Sequence, residues 1–201
     1  AMVNYLLRLG WGHGDTEFFS RKQAIELFSL DNIGKSPARF DLEKLRGVNA
    51  HYLQQLDAAP LYDLIAPHVA ATSLSAKDRV IALLPLLKER AKTHLDIVPQ
   101  LGYLLHDGAP DMTEEASALL NDDTKGNLLK LAANLTDTSW KKDALSSHIQ
   151  RFLEINGLKM RDIGLPLRAA ITGTKQSPSI VDIMVVLGEA ETLARLRVAC
   201  K

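Results

Sequence analysis

The chain predicts an all-α fold, and three observations carry that expectation. Apolar residues recur at three- and four-residue spacing along nearly its whole length. Residues able to cap a helix stand just before most of these runs. The composition is 46% hydrophobic and only 5% aromatic, with leucine and alanine throughout. Alternation of Val, Ile and Thr is nowhere long enough to demand a strand, and only residues 179–186 are open to either reading.

Each element follows from its own pattern. Val3, Leu6, Leu7 and Leu9 open a short helix that stops at Gly10, and Gly10-Trp11-Gly12-His13-Gly14-Asp15 is a tight loop. Ser20 caps a helix through Ala24, Ile25 and Leu27-Phe28, and 33–37, with Gly34, Ser36 and Pro37, is a turn. Asp41 caps a helix that presents Leu42, Leu45, Val48 and Tyr52; Asp57 and Pro60 start another through Leu61, Leu64 and Ile65. Ser75 and Asp78 have capping-box spacing before the apolar run 80–87, in which Pro85 removes a backbone hydrogen bond and predicts a kink. Thr93 and Asp96 repeat that spacing for a following helix. Further helices fit 113–121, 125–136 and 140–155, the last with Trp140, Ala144, Leu145, Ile149, Phe152 and Leu153 on one face and Asn156-Gly157 at its end. The chain closes with a helix over 161–171, a loop over 172–178 and helices on either side of Gly188. Asp107-Gly108-Ala109-Pro110-Asp111 is the best boundary between two halves.

The 201 residues suffice for one large domain or two small ones. Basic and acidic groups both number 24, so no global field draws in a polyanion. Residues 111–158 nevertheless carry five basic against eight acidic groups, and residues 159–201 seven against four, so the last segment is the one a polyanion would meet. A single cysteine, Cys200, excludes an internal disulfide framework and a cysteine zinc site. No apolar run approaches the roughly 20 residues of a membrane span, and no signal peptide is visible. Ala1 before Met2 reads as a cloning remnant. A reduced, cytoplasmic, monomeric protein, cut from a longer one, is the expectation.

Enzyme signatures are absent from the residues. Gly10-Trp-Gly12-His-Gly14 lacks a following Lys-Ser/Thr, and Gly34-Lys35-Ser36 lacks the upstream glycine and runs into Pro37, so neither makes a phosphate loop. The six histidines show no metal-binding spacing. Adjacent Glu114-Glu115 and Asp122-Asp123 point to different helix faces, which suits surface positions better than shared acid–base work. No catalytic residue and no metal ligand is expected. Binding has more support: Arg161, Arg168, Lys175, Arg195 and Arg197 are interleaved with apolar residues, and the loop from Gly173 to Pro178 gathers amides, hydroxyls and an ammonium. A proline-containing loop beside a guanidinium suits hydrogen bonding to unstacked bases. The plain structural reading is a solvated connection whose arginine caps carbonyls.

The words of the sequence then resemble the bacterial glutamyl-tRNA synthetase family, in its part downstream of the catalytic domain. The stretches concerned are Asn4-Tyr-Leu-Leu-Arg-Leu-Gly-Trp11 with Gly12-His-Gly-Asp15, Ser36-Pro-Ala-Arg-Phe-Asp-Leu-Glu-Lys-Leu45, Asn49-Ala-His-Tyr52, Glu89-Arg-Ala-Lys-Thr93 and Gly157-Leu-Lys-Met160. Pro166-Leu-Arg-Ala-Ala-Ile-Thr-Gly173, Ser177-Pro178, Val186-Leu-Gly188 and Thr192-Leu-Ala-Arg-Leu196 continue the match in order across the chain. The resemblance implies the end of a stem-contact region over 1–55 and two packed helical subdomains, 56–110 and 111–201, of a class I synthetase anticodon-binding domain. The His-Ile-Gly-His-like motif and the Lys-x-Ser-Lys-x loop of that family do not occur here. ATP and magnesium would therefore belong to a catalytic domain absent from this chain, which by itself should bind no cofactor and activate no glutamate. The implied partner is tRNA, glutamate isoacceptors first and glutamine isoacceptors as a further candidate. By the same resemblance Arg168 matches an arginine that contacts an anticodon base, and Ser177 and Pro178 a pair that cradles the first anticodon base. Ile180 matches an apolar residue beside them. Ser179 stands where the family commonly has glycine. Arg90 matches an arginine used against the third anticodon base, with Arg79 and Lys92 as alternatives. Lys175 joins the candidate tRNA-binding set from its place in the loop. A helical protein-interaction or regulatory module without RNA binding is the competing reading, favoured by the zero net charge and the apolar 80–87 run.

Overall fold

A computed structural model of the chain describes residues 1–35, 37–70 and 73–201, with the Asp137 side chain outside that description. The helices are α1 (Met2–Gly10), α2 (Arg21–Leu27), α3 (Leu42–Gln55), α4 (Ala58–Ile65), α5 (Leu74–Leu87), α6 (Glu114–Ser117), α7 (Asp122–Asn134), α8 (Lys142–Ile155), α9 (Met160–Thr172) and α10 (Ile180–Ala199). Among the described residues the only extended pairing is a single bridge between Trp11 and Ile33, so the fold is all-α as expected. The expected turn over 33–37 includes Ser36, which lies outside the described residues.

Caps decide where most helices begin. Ser20 accepts from the Gln23 amide while the Gln23 side chain accepts from the Ser20 amide, a reciprocal capping box. Asp41 accepts from the amides of Glu43 and Lys44. Four boundaries differ from the sequence reading, each for a local reason. The cap of α5 is Ser73, whose hydroxyl accepts from the Ala76 amide; Ser75, the expected cap, already lies in the first turn. Asn121 caps α7 by accepting from the Thr124 amide, which starts that helix earlier than 125 and confines α6 to four residues. In α8 the first helical residue is Lys142, not Trp140. Finally, the Asp96 carboxylate does accept from the Thr93 amide at 2.8 Å, but no α-helix follows. Pro99 lacks a backbone donor and Gly102 disfavours helix, so the chain advances in short 3-10 turns through Leu104. Helix α5 continues through Pro85 to Leu87, and α10 is broken at Gly188, whose φ is +78°.

One apolar core runs from Leu53 to Cys200. Helix α5 contributes Val80, Leu83, Leu84 and Leu87 to it, α7 Leu128 and Leu131, α8 Leu145, Ile149, Phe152 and Leu153, and α9 and α10 close it with Ile163, Leu167, Ile171, Ile183, Met184 and Leu196. The core crosses the 107–111 segment, so the residues on its two sides are packed together. The N-terminal part has a smaller cluster of its own, in which Trp11 meets Phe19 and Phe28, and Tyr5 meets Phe40 edge-on. Helix α3 joins the two. On one side the Tyr52 hydroxyl donates to the Phe19 carbonyl; on the other Asn49 donates to the Lys92 carbonyl at 2.7 Å and Lys88 to the Leu56 carbonyl.

Arg195 lies at the centre of the second half. It is fully buried, contrary to its place among the candidate polyanion-facing cations. Its Nε donates to Glu191 at 2.6 Å, Nη1 to the carbonyls of Tyr103 and Ile171, and Nη2 to that of His106. Glu191 also accepts from the Gly108 amide. Arg195→Met would leave three carbonyls without this donor and the buried Glu191 carboxylate without its countercharge, with only the Gly108 amide to serve it. Breaking a buried pair from one side costs about 3–5 kcal/mol, to be read from urea unfolding. A loss below about 1 kcal/mol would mean that desolvation of the guanidinium cancels what its contacts contribute.

Candidate nucleic-acid interface

The loop between α9 and α10 is built by its flanking helices. Gly173 ends α9 in the left-handed region, with φ +71°, and its amide still donates to the Ala169 carbonyl at 2.8 Å. Its own carbonyl accepts from the Thr113 amide at 2.9 Å. A Cβ added there would stand 2.1 Å from the Asp111 carbonyl oxygen, so only glycine satisfies both the dihedral and the approach. Inside the loop, Thr172 donates to the Arg168 carbonyl and Thr174 to the Gln176 carbonyl. Ser179 caps α10 by accepting from the Asp182 amide at 3.5 Å, and its φ of −53° suits any residue, so serine in place of the family's glycine brings no backbone strain.

Arg168 holds the loop from α9. Its Nη1 donates to the Ser177 carbonyl at 2.7 Å, to the Pro178 carbonyl at 2.6 Å and to the Ser177 hydroxyl. Burial pushes the guanidinium pKa down, and the nearby Tyr103 opposes that shift; an arginine stays charged regardless. The plain structural reading of this residue, an arginine that caps carbonyls, is thus realised. Arg168 orders the carbonyls of the loop while lining a groove.

That groove has a volume of about 660 Å³ and joins three of the chain's segments. Arg168, Ser177 and Pro178 line it together with Glu89 and Arg90, in the turn after α5, and with Gln100. Arg90 is exposed and has no hydrogen-bond or ion-pair partner among the described residues. The turn carrying it is fixed by α3 through the contacts to Leu56 and Lys92 given above. The two alternatives to Arg90 are engaged elsewhere: Arg79 is largely buried against Asp107 at 2.6 Å, and Lys92 pairs with Glu43 at 2.9 Å. Neither lines the groove.

Two candidates stand apart from it. Ile180 is only 8% exposed and belongs to the core, where it anchors the loop exit. Lys175 pairs with Glu115 at 3.3 Å and faces a second cavity next to the first. Gln100 and Glu89 were missed from the sequence because only the tertiary fold brings them to the loop. Gln176 carries a signal in hindsight, since it sits inside the loop already singled out. Among the described residues no group of three or more His, Cys, Asp and Glu side chains is placed to hold a metal, and no helix is long and apolar enough to cross a membrane.

Known proteins resemble the chain along its whole length. The Anticodon binding domain family matches residues 60–200. "Glutamate--tRNA ligase 2" of Rhizorhabdus wittichii is 42% identical over 202 residues, covering 98% of this chain and 43% of that protein. The protein of the same description from Zymomonas mobilis is 42% identical over 203 residues, covering 98% of this chain and 42% of its own length. The crystal structure of a glutamate tRNA ligase from Elizabethkingia meningosepticum, solved in complex with its amino acid, superposes with a TM-score of 0.85 at 27% identity, over 99% of this chain and 40% of that one. The chain therefore spans about two-fifths of the length of these relatives.

Replacing Gly173 tests how the loop is held. Gly173→Ala meets both a left-handed backbone and the Asp111 carbonyl. A loss of about 2–4 kcal/mol in chemical unfolding is expected. A near-neutral variant would show that the Asp111 backbone yields without cost.

Proposed function

The chain belongs to the anticodon-binding domain family, and from that premise we propose that it reads the anticodon of tRNA as part of a glutamate–tRNA ligase. The whole protein would attach glutamate to tRNA with ATP, using a catalytic domain that this chain does not contain. The observation carrying the reading is the convergence of Arg90 with Arg168, Ser177 and Pro178, which lie far from it in sequence, on one groove.

The two arginines have different parts. Arg168 fixes the 177–178 carbonyls before RNA arrives, so the loop meets a base already ordered, and the ordering cost of binding is reduced. Arg90 brings an uncommitted guanidinium whose five donors can engage acceptors on a base edge. Glutamate anticodons end in C and glutamine anticodons in G. Cytosine presents N3 and O2 as acceptors on its pairing edge, whereas guanine presents N1–H and an amino group, which would oppose Arg90 with donors. Leaving a donor unpaired in a partly dry site costs about 1–3 kcal/mol, or roughly five- to 150-fold in affinity. Glutamate tRNA as the preferred partner follows from this contact.

Titration of two anticodon stem-loops differing only in that base tests the proposal. The C form should bind more tightly, and Arg90→Gln should narrow the ratio; an unchanged ratio would make Arg90 an ordinary solvated charge. Arg168→Ala should weaken both stem-loops by about 1–3 kcal/mol with helical circular dichroism retained. Binding should weaken steeply with salt, since phosphate contacts release counterions. Absence of any salt-dependent binding would favour the protein-interaction reading instead.

A further inference from the structure

Arg90 has a free guanidinium on a fully engaged mount. The turn that carries it is anchored in the core by the buried Leu87 and Ala91. Two residues after Arg90, every polar group of Lys92 is taken. Its amide donates to the Asp96 carboxylate at 3.0 Å, its ammonium to Glu43 at 2.9 Å, and its carbonyl accepts from Asn49 Nδ2 at 2.7 Å. Directly before Arg90, the Glu89 carbonyl accepts from Gln54 Nε2 at 3.4 Å. Asn49 and Gln54 thus serve the backbone on both sides of Arg90 from α3, although neither lines the groove. We infer that Asn49, with Gln54 as a weaker second contact, is a positioning residue for discrimination at the third anticodon base: it reads no base and sets where Arg90 stands. The inference rests on the anticodon reading above and assigns part of its specificity to the N-terminal part of the chain.

Carbonyls at a helix end and in the short turn beyond it find no helical donor ahead of them. A turn with such carbonyls unserved is free to shift. A guanidinium fork tells one base edge from another only when it is held within about 0.5 Å of its productive place. Arg90 has no partner of its own among the described residues, so its placement comes through the backbone. Arg168 needs no such help, because its guanidinium is tied directly to the Ser177 and Pro178 carbonyls. Of the two α3 amides Asn49 has the larger part. Its bond is short, its side chain is half-buried, and it joins residues 43 apart in sequence, whereas Gln54 is exposed and its bond is long.

The test titrates this chain with RNA stem-loops by fluorescence anisotropy. Two carry a glutamate anticodon with C or G as the third base, and one has the first anticodon base changed. Asn49→Leu keeps the bulk of the side chain and removes its donor. It should narrow the C-to-G affinity ratio by about threefold or more and leave the response to the first base as in the parent chain. In an Arg90→Gln background the same substitution should alter the ratio by less than about twofold, because a residue acting through another adds nothing once that other is gone. Gln54→Ala, at an exposed position where the cost to folding is small, should narrow the ratio in the same sense by a smaller factor. Should Asn49→Leu melt below the assay temperature, Gln54→Ala decides alone. If the parent chain does not prefer C, or if Arg90→Gln leaves that preference intact, the Arg90 reading fails and this inference with it. If Arg90→Gln narrows the ratio while neither α3 variant does, the anticodon reading stands and the positioning role is overturned. A narrowing equally large without Arg90, or matched by an equal loss at the first base, would make Asn49 a general support of the fold and overturn the assignment as well.

Discussion

A single buried guanidinium organises the C-terminal half. Arg195 serves the backbone at three places: the 3-10 segment at Tyr103, the loop after it at His106 and the end of α9 at Ile171. Glu191, one turn earlier on α10, neutralises it and ties down Gly108. Carbonyls at a helix end and in short 3-10 turns have no intrahelical donors, and in a dry interior they must find others. Arginine suits the task because its planar fork serves several acceptors and is less strongly hydrated than an ammonium. The end of α9 fixed in this way is where the 172–178 loop departs, so the candidate interface depends on a residue that never reaches it.

The same economy of donors explains which cations remain for a partner. Arg79, Lys92 and Lys175 are paired with Asp107, Glu43 and Glu115 respectively. Arg168 divides itself between loop and groove. Arg90 alone of the candidate cations enters the groove with its donors uncommitted among the described residues. Zero net charge is thus compatible with an RNA-facing site, because local availability of donors, not total charge, sets what a groove can recognise. Guanidinia that are fixed, or mounted on fixed turns, present their donors in a geometry set before any ligand arrives.

The N-terminal part contributes through α3. That helix meets the N-terminal cluster where Tyr52 donates to the Phe19 carbonyl, and it grips the 88–92 turn through Asn49 and the partners of Lys88 and Lys92. A 3-10 turn has few internal hydrogen bonds, so these outside contacts are what hold Arg90 in the groove it shares with Pro178. Residues 1–55 therefore act on the groove without lining it.

Local chemistry made much of this legible in the sequence. Helix periodicity, the caps at Ser20 and Asp41 and the break at Gly188 depend on neighbours a few residues away, and those neighbours are visible in the string. The misplacements, at Ser73 and Asn121, came from competing caps only two to four residues apart, which propensity alone does not separate. The helix expected after Thr93 did not form because Pro99 and Gly102 outweighed a good cap. The motif around Arg168 marked out the loop, and the structure shows that side chain holding the loop's carbonyls. What tertiary structure alone decided is which charges are free. Arg195 and Arg90 look alike in sequence, one interleaved with leucines and the other at a helix end. Yet one is sealed among carbonyls and the other faces an open groove, because burial and pairing depend on segments distant in sequence, such as Tyr103 and His106, 92 and 89 residues from Arg195.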